Sequence, residues 1–103
     1  MPQHYVYIVA NEDRAIYIGM TNDLDRRIRE HKQGRKRAFT GWFKMYSLVY
    51  YETTGYLAAA GSREKQLKTW SRPRKLKLIE SMNPGWTDLS EHLPSKGRGH
   101  PTL

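Results

Sequence analysis

Two short runs, Tyr5 to Ala10 and Ile16 to Gly19, are apolar or aromatic at both odd and even positions, with the turn-favouring Asn11-Glu12-Asp13 between them. β-branched and aromatic residues in such runs read as strands, and a polar Asn/Asp cluster between two of them reads as a turn. A hairpin apolar on both faces must be covered on both sides, so the rest of the chain has to supply two layers. With the turn centred near Glu12, Tyr7 and Tyr17 fall directly opposite each other and their rings share one face.

The covering segments are legible in outline. Thr21 and Asn22 suit an N-cap, Asp23 and Asp25 suit the positive end of a helix, and Gly34 suits its end, which predicts a helix over 23–33. On it Leu24, Ile28 and His31 form a stripe, bordered by Arg27 four residues before His31. Residues 34–44 mix charge with Phe39, Trp42 and Phe43 without a period and read as a loop. Tyr46 to Thr53 reads as a third strand and Tyr56 to Trp70 as an alanine-rich helix. At about 100° per residue, Leu67, Ala60, Glu64, Leu57, Lys68 and Gly61 share an arc of about 120° on that helix, which turns Glu64 inward. Pro73 suits the first turn of a further helix to about Met82, stopped by Asn83-Pro84-Gly85. The expected organisation is one domain over residues 1–92 and a mobile tail over 93–103.

Charge narrows the function. Over 103 residues, 18 Lys and Arg stand against 10 Asp and Glu, a formal charge of +8. Residues 31–44 carry five Lys and Arg and no acid; residues 63–77 carry seven and one acid; residues 78–94 carry three acids and no base. Two segments own the positive field, and a basic face binds phosphate backbones by releasing their counterions. No apolar run approaches the ~20 residues that cross a bilayer, and the start lacks the h-region of a secretory signal. With no cysteine, thiolate zinc sites, iron–sulfur clusters and thiol nucleophiles are excluded. The chain reads as cytoplasmic, with nucleic acid as partner and no membrane.

A carboxylate on an apolar helical stripe costs several kcal/mol unless it is paired or metal-bound. Glu64 is therefore either a salt-bridge partner of a nearby Arg or a metal ligand. Arg27 either covers the core with its stem or presents a buried charge. Tyr7 and Tyr17 read as core or as catalytic groups, and His31 as a packed histidine or a participant.

These residues together resemble the GIY-YIG nuclease superfamily, in particular its small stand-alone bacterial members. Tyr5-Val6-Tyr7 stands for the first half of the motif and Tyr17-Ile18-Gly19 for the second. Arg27 and His31 follow at the family's spacing, and Arg63-Glu64-Lys65-Gln66-Leu67-Lys68 looks like its metal-binding helix. Trp70-Ser71-Arg72 and Asn83-Pro84-Gly85-Trp86 look like segments of the stand-alone group. The resemblance implies an α/β (α+β) fold: a small, mostly antiparallel three-stranded sheet flanked by helices.

It also implies an activity, a metal-dependent endonuclease hydrolysing phosphodiester bonds in DNA. Glu64 would hold one divalent cation, Mg²⁺ or Mn²⁺, since a single carboxylate suits an ion completed by water and phosphate. Arg27 would stabilise the pentavalent phosphate, Tyr7 or Tyr17 would deprotonate the attacking water, and His31 would assist. A phenol of pKa near 10 needs a cation beside it for that work, and Arg27 is the expected one. Asn83 is either a late family residue near the metal or a helix cap. Arg35, Lys36, Arg37, Lys65, Lys68 and Arg72 are the expected nucleic-acid contacts. The first motif half has Tyr5-Val6 in place of Gly-Ile, and Met20 stands where some relatives place a lysine. With no separate targeting domain, specificity is expected to be low, structure-based or supplied by a protein partner. The alternative is a nucleic-acid-binding module that keeps the fold without catalysis.

Overall fold

Val6, Ile8 and Ala10 leave one side of the first strand and Tyr5, Tyr7 and Val9 the other, and all six are buried. That two-sided burial makes it the central strand. The computed structural model describes residues 3–33 and 47–93. The elements run β1 (His4–Ala10), β2 (Ile16–Thr21), α1 (Leu24–Gln33), β3 (Ser47–Thr54), α2 (Leu57–Thr69), α3 (Arg72–Met82) and a 3-10 turn (Leu89–His92). The strands form one sheet in the order β2-β1-β3, antiparallel at both pairings. The fold is α+β, a three-stranded sheet between helices.

On one face Ala60 and Leu67 of α2 and Ile79 of α3 bury against Val6, Ile8, Ala10, Ile18, Val49 and Tyr50. On the other, Leu24 and Ile28 of α1 bury against Tyr5, Tyr7, Val9, Leu48 and Tyr51, with Leu89 and Leu93 at the margin. Each Val, Leu and Ile among them contributes about 1.5–3 kcal/mol when fully buried. α1 has only ten residues, too few to be stable alone in water, so burial of Leu24 and Ile28 rather than propensity holds it in place.

The hairpin register differs from the expected one. Tyr7 pairs with Gly19 and Tyr17 with Val9, because the strands first pair at Ala10 and Ile16. The turn is centred one residue later than Glu12. Asn11 Oδ1 accepts from the backbone N–H groups of Asp13 (2.9 Å) and Ala15 (3.0 Å), and Arg14 closes the turn at φ 61°. That side-chain turn takes up Asn11 to Ala15 and moves every pair by one step on each strand. Tyr7 and Tyr17 become diagonal neighbours on the same face instead of an opposed pair.

One helix start is also corrected. Asp23, not Thr21 or Asn22, caps α1: its Oδ1 accepts from Arg26 N–H at 3.2 Å, while Thr21 Oγ1 holds Asp23 N–H at 3.1 Å. In α3 the cap is Ser71, with Pro73 in the first turn. The expected start of the third strand, Tyr46, lies outside the described residues, as do the expected loop contacts and most of the expected tail.

Candidate active site

Three elements of one face converge. Tyr7 comes from the middle of β1, Gly19 and Tyr17 from β2, and Arg27 and His31 from one side of α1, four residues apart. The Tyr7 ring lies over residue 19 so closely that a β-carbon there would stand 2.5 Å from the phenol oxygen. Glycine is needed at 19 for this approach, not for an unusual backbone angle.

Tyr7 Oη lies 3.0 Å from His31 Nε2. The three rings form a closed group: Tyr7 to His31 and Tyr17 to His31 are each 5.6 Å between centroids, and Tyr7 to Tyr17 is 6.5 Å. Burial lowers the His31 pKa, and the Arg27 charge lowers it further. The imidazole is therefore neutral at pH 7 and accepts the Tyr7 proton bond when Nδ1 carries the ring hydrogen. Burial pushes the Tyr7 phenol up to about 12 despite the opposing pull of Arg27. This corrects the expectation that Arg27 would make a base of whichever tyrosine it adjoins: at fully buried Tyr7 desolvation is the larger effect. Tyr17 is the half-exposed phenol of the pair.

Arg27 is partly exposed, but its Nε is buried and has no hydrogen-bond partner; Glu30 Oε1, at 3.3 Å, offers charge without bonding geometry. The Glu30 ion pair and the hydrogen bond toward Tyr7 orient a partly exposed guanidinium, a charged fork suited to an anionic oxygen.

Glu64 reaches the group from the opposite layer. It sits on the flank of α2, not under it: its side chain is 23% exposed and its Oε2 lies 3.1 Å from Lys68 Nζ. The inward turn expected for it is corrected, because Ala60 and Leu67 alone form the buried line while Leu57 is 59% exposed. The carboxylate remains close enough for its charge to raise the Tyr7 pKa. Among the described residues no three metal-ligating side chains cluster. One partly buried carboxylate, paired among the described residues with a surface lysine, fits a hard ion that keeps its waters and completes its shell on a phosphate, and does not fit a protein-caged one.

A family model described as the GIY-YIG catalytic domain matches residues 3–77. The chain belongs to the GIY-YIG family. It is 40% identical over 77 residues to a UPF0213 protein of Haloquadratum walsbyi, covering 75% of this chain and 86% of that protein. A UPF0213 protein of Staphylococcus haemolyticus is 40% identical over 80 residues, covering 78% and 98%. The solution NMR structure of a UPF0213 protein from Bacillus halodurans superposes with a TM-score of 0.56 at 29% identity, covering 86% of this chain and 95% of that one.

Other expected residues of the GIY-YIG chain stand apart from the ring group. Asn83, expected either as a cap or near a metal, is buried as the cap of α3. Its Nδ2 donates to the carbonyls of Val49 (3.2 Å) and Thr87 (2.8 Å), and its Oδ1 accepts from Thr87 N–H and Oγ1 at 3.1 Å each. With its amide spent on β3 and the following loop, it has no capacity left for a ligand. Lys65 and Lys68 are exposed on α2, and exposed Arg72 donates to the Arg14 carbonyl at 2.7 Å. Arg35, Lys36 and Arg37 lie outside the described residues. Met20 is partly buried and packs against the core cluster that α2 covers.

Sequence reasoning missed Glu52. This β3 carboxylate is 7% exposed and receives two bonds from Arg63, Nε to Oε1 at 2.9 Å and Nη2 to Oε2 at 2.8 Å, with the Tyr50 phenol donating to Oε2 as well. A lone acid in the apolar run Leu48-Val49-Tyr50-Tyr51-Glu52 was the available signal, the same one that singled out Glu64.

Proposed function

We propose that this GIY-YIG domain is a metal-dependent endonuclease that hydrolyses phosphodiester bonds in DNA with low or structure-based specificity. The observation that carries the reading is the convergence of the Tyr7–His31 pair, partly exposed Tyr17 and Arg27, with Glu64 entering from the other layer.

The roles divide by exposure. Tyr17 takes the proton from the attacking water, because buried Tyr7 cannot reach water and its phenol resists ionisation. Tyr7 and neutral His31 form a fixed backing that orients the Tyr17 ring. Arg27 turns its charge to the phosphate as negative charge develops on the non-bridging oxygens, where a preorganised donor in a dry site is most effective. Glu64 is the residue that would hold Mg²⁺ or Mn²⁺, whose contribution is Lewis-acid charge against the same phosphate. Lys65, Lys68 and Arg72, with Arg35, Lys36 and Arg37, supply the backbone contacts, which carry no sequence information.

Purified protein incubated with supercoiled, single-stranded and branched DNA, each with Mg²⁺, Mn²⁺ or chelator, tests the proposal. Metal-dependent nicking of at least one substrate is expected. Tight binding without cleavage of any would make the chain a nucleic-acid-binding module.

A further inference from the structure

Glu52 is the one buried carboxylate among the described residues, and the ring group does not use it. A buried ion pair is often no more stabilising than apolar residues of the same volume. What a forked, two-bond pair supplies instead is direction. Arg63 is held at all three nitrogens: Nε and Nη2 by Glu52, Nη1 by Gln66 at 2.7 Å. Its guanidinium also lies 5.4 Å from the Trp70 ring centre.

The geometry of α2 gives that direction a consequence. Only Ala60 and Leu67 of the helix are buried, and two such residues leave its rotation about its own axis weakly specified. At about 100° per residue, Arg63 lies about 60° to one side of Ala60 and Glu64 about 40° to the other. The apolar arc of the sequence, with Leu57 in it, would favour a rotation roughly 50° away from the observed one. The helix instead leaves Leu57 exposed and draws Arg63 onto β3. Ala60 and Leu67 face the core, and the polar clamp ties one flank of that line to β3.

We infer that Glu52, acting through Arg63, is a positioning residue that fixes the rotation of α2 and so holds Glu64 against the Tyr7–Tyr17–Arg27 group. This rests on the reading of Glu64 as the metal-holding residue. A rotation of about 20° moves a carboxylate about 6 Å from the helix axis by about 2 Å. Displacements of about 1 Å near reacting atoms can cost about 10²-fold in rate.

The test compares Glu52→Gln, Arg63→Lys and Glu64→Gln with the wild type by titrating Mn²⁺ alone and following paramagnetic broadening of backbone amides, at a temperature where melting curves show every variant folded. Outer-shell partners of metal ligands typically change affinity 10- to 100-fold. Folded Glu52→Gln is expected to bind Mn²⁺ at Glu64 at least about 10-fold more weakly, with kcat for DNA falling and KM unchanged. If Glu52→Gln does not fold, Arg63→Lys, which keeps charge but loses the fork, carries the same expectation. Folded variants with wild-type Mn²⁺ affinity would overturn the positioning role while leaving Glu64 as the metal residue. A wild type whose broadening matches that of Glu64→Gln would instead overturn the metal reading, and the positioning role with it.

Discussion

The phenol of Tyr7 occupies the space a side chain at Gly19 would need: a β-carbon there would stand 2.5 Å from Oη and 2.6 Å from Cζ. The ring is fully buried and cannot swing aside. Gly19→Ala should therefore displace Tyr7, break its 3.0 Å contact with His31 and destabilise the fold by about 1–3 kcal/mol, the usual cost of overpacking a core. Thermal melting measures the loss; a wild-type melting temperature would refute the close-approach account of this glycine.

The two tyrosines should separate by kinetics. Tyr17→Phe is expected to fold and bind DNA normally while cleavage drops roughly 10²- to 10⁴-fold, the usual contribution of a positioned base. Tyr7→Phe should lose less rate. Single-turnover cleavage of both variants decides the assignment, and a larger loss at Tyr7 would reverse the roles.

Glu64→Gln should abolish cleavage with little change in stability, under about 1 kcal/mol, because its ion-pair partner Lys68 is half exposed. DNA binding measured in chelator should persist or strengthen, since a negative charge has left a basic surface. Glu52→Gln should behave oppositely in melting, losing about 3–5 kcal/mol by leaving the Arg63 charge half buried and poorly paired. Equal losses from the two substitutions would contradict the exposures of the two acids.

His31 carries a pH dependence. Its pKa is lowered in the folded protein by burial and by Arg27, so below the unfolded value of about 6.5 the unfolded state binds more protons. Stability should fall as pH drops through that value, with a slope of at most about 1.4 kcal/mol per pH unit from this one group. Denaturation from pH 7.5 to 5 should give a flatter profile for His31→Gln. An identical slope would show that His31 titrates normally.

Salt dependence should locate the binding face. Removing Arg35, Lys36 and Arg37 together is expected to flatten the plot of log K against log salt by up to about 3 units on duplex DNA. An unchanged slope would move the contacts to Lys65, Lys68 and Arg72.

The sequence alone determined the types of the strands and α-helices among the described residues, though not the 3-10 turn at Leu89–His92. The period of β1 and β2, the polar turn between them and the punctuation by Pro73 and Pro84 are local signals, and local chemistry decides them. Strand spacing also put Tyr7 and Tyr17 on one face and helix spacing put Arg27 beside His31, but only the packing of α1 on the sheet brings the two pairs together. What it could not determine were quantities set by partners distant in the chain. The hairpin register moved because one Asn11 side chain built a longer turn. The Tyr7 pKa is raised because a second layer removes its water, which outweighs the opposing charge of Arg27. The rotation of α2 is tied to a carboxylate on β3, because two buried residues specify a helix axis far better than they specify rotation about it.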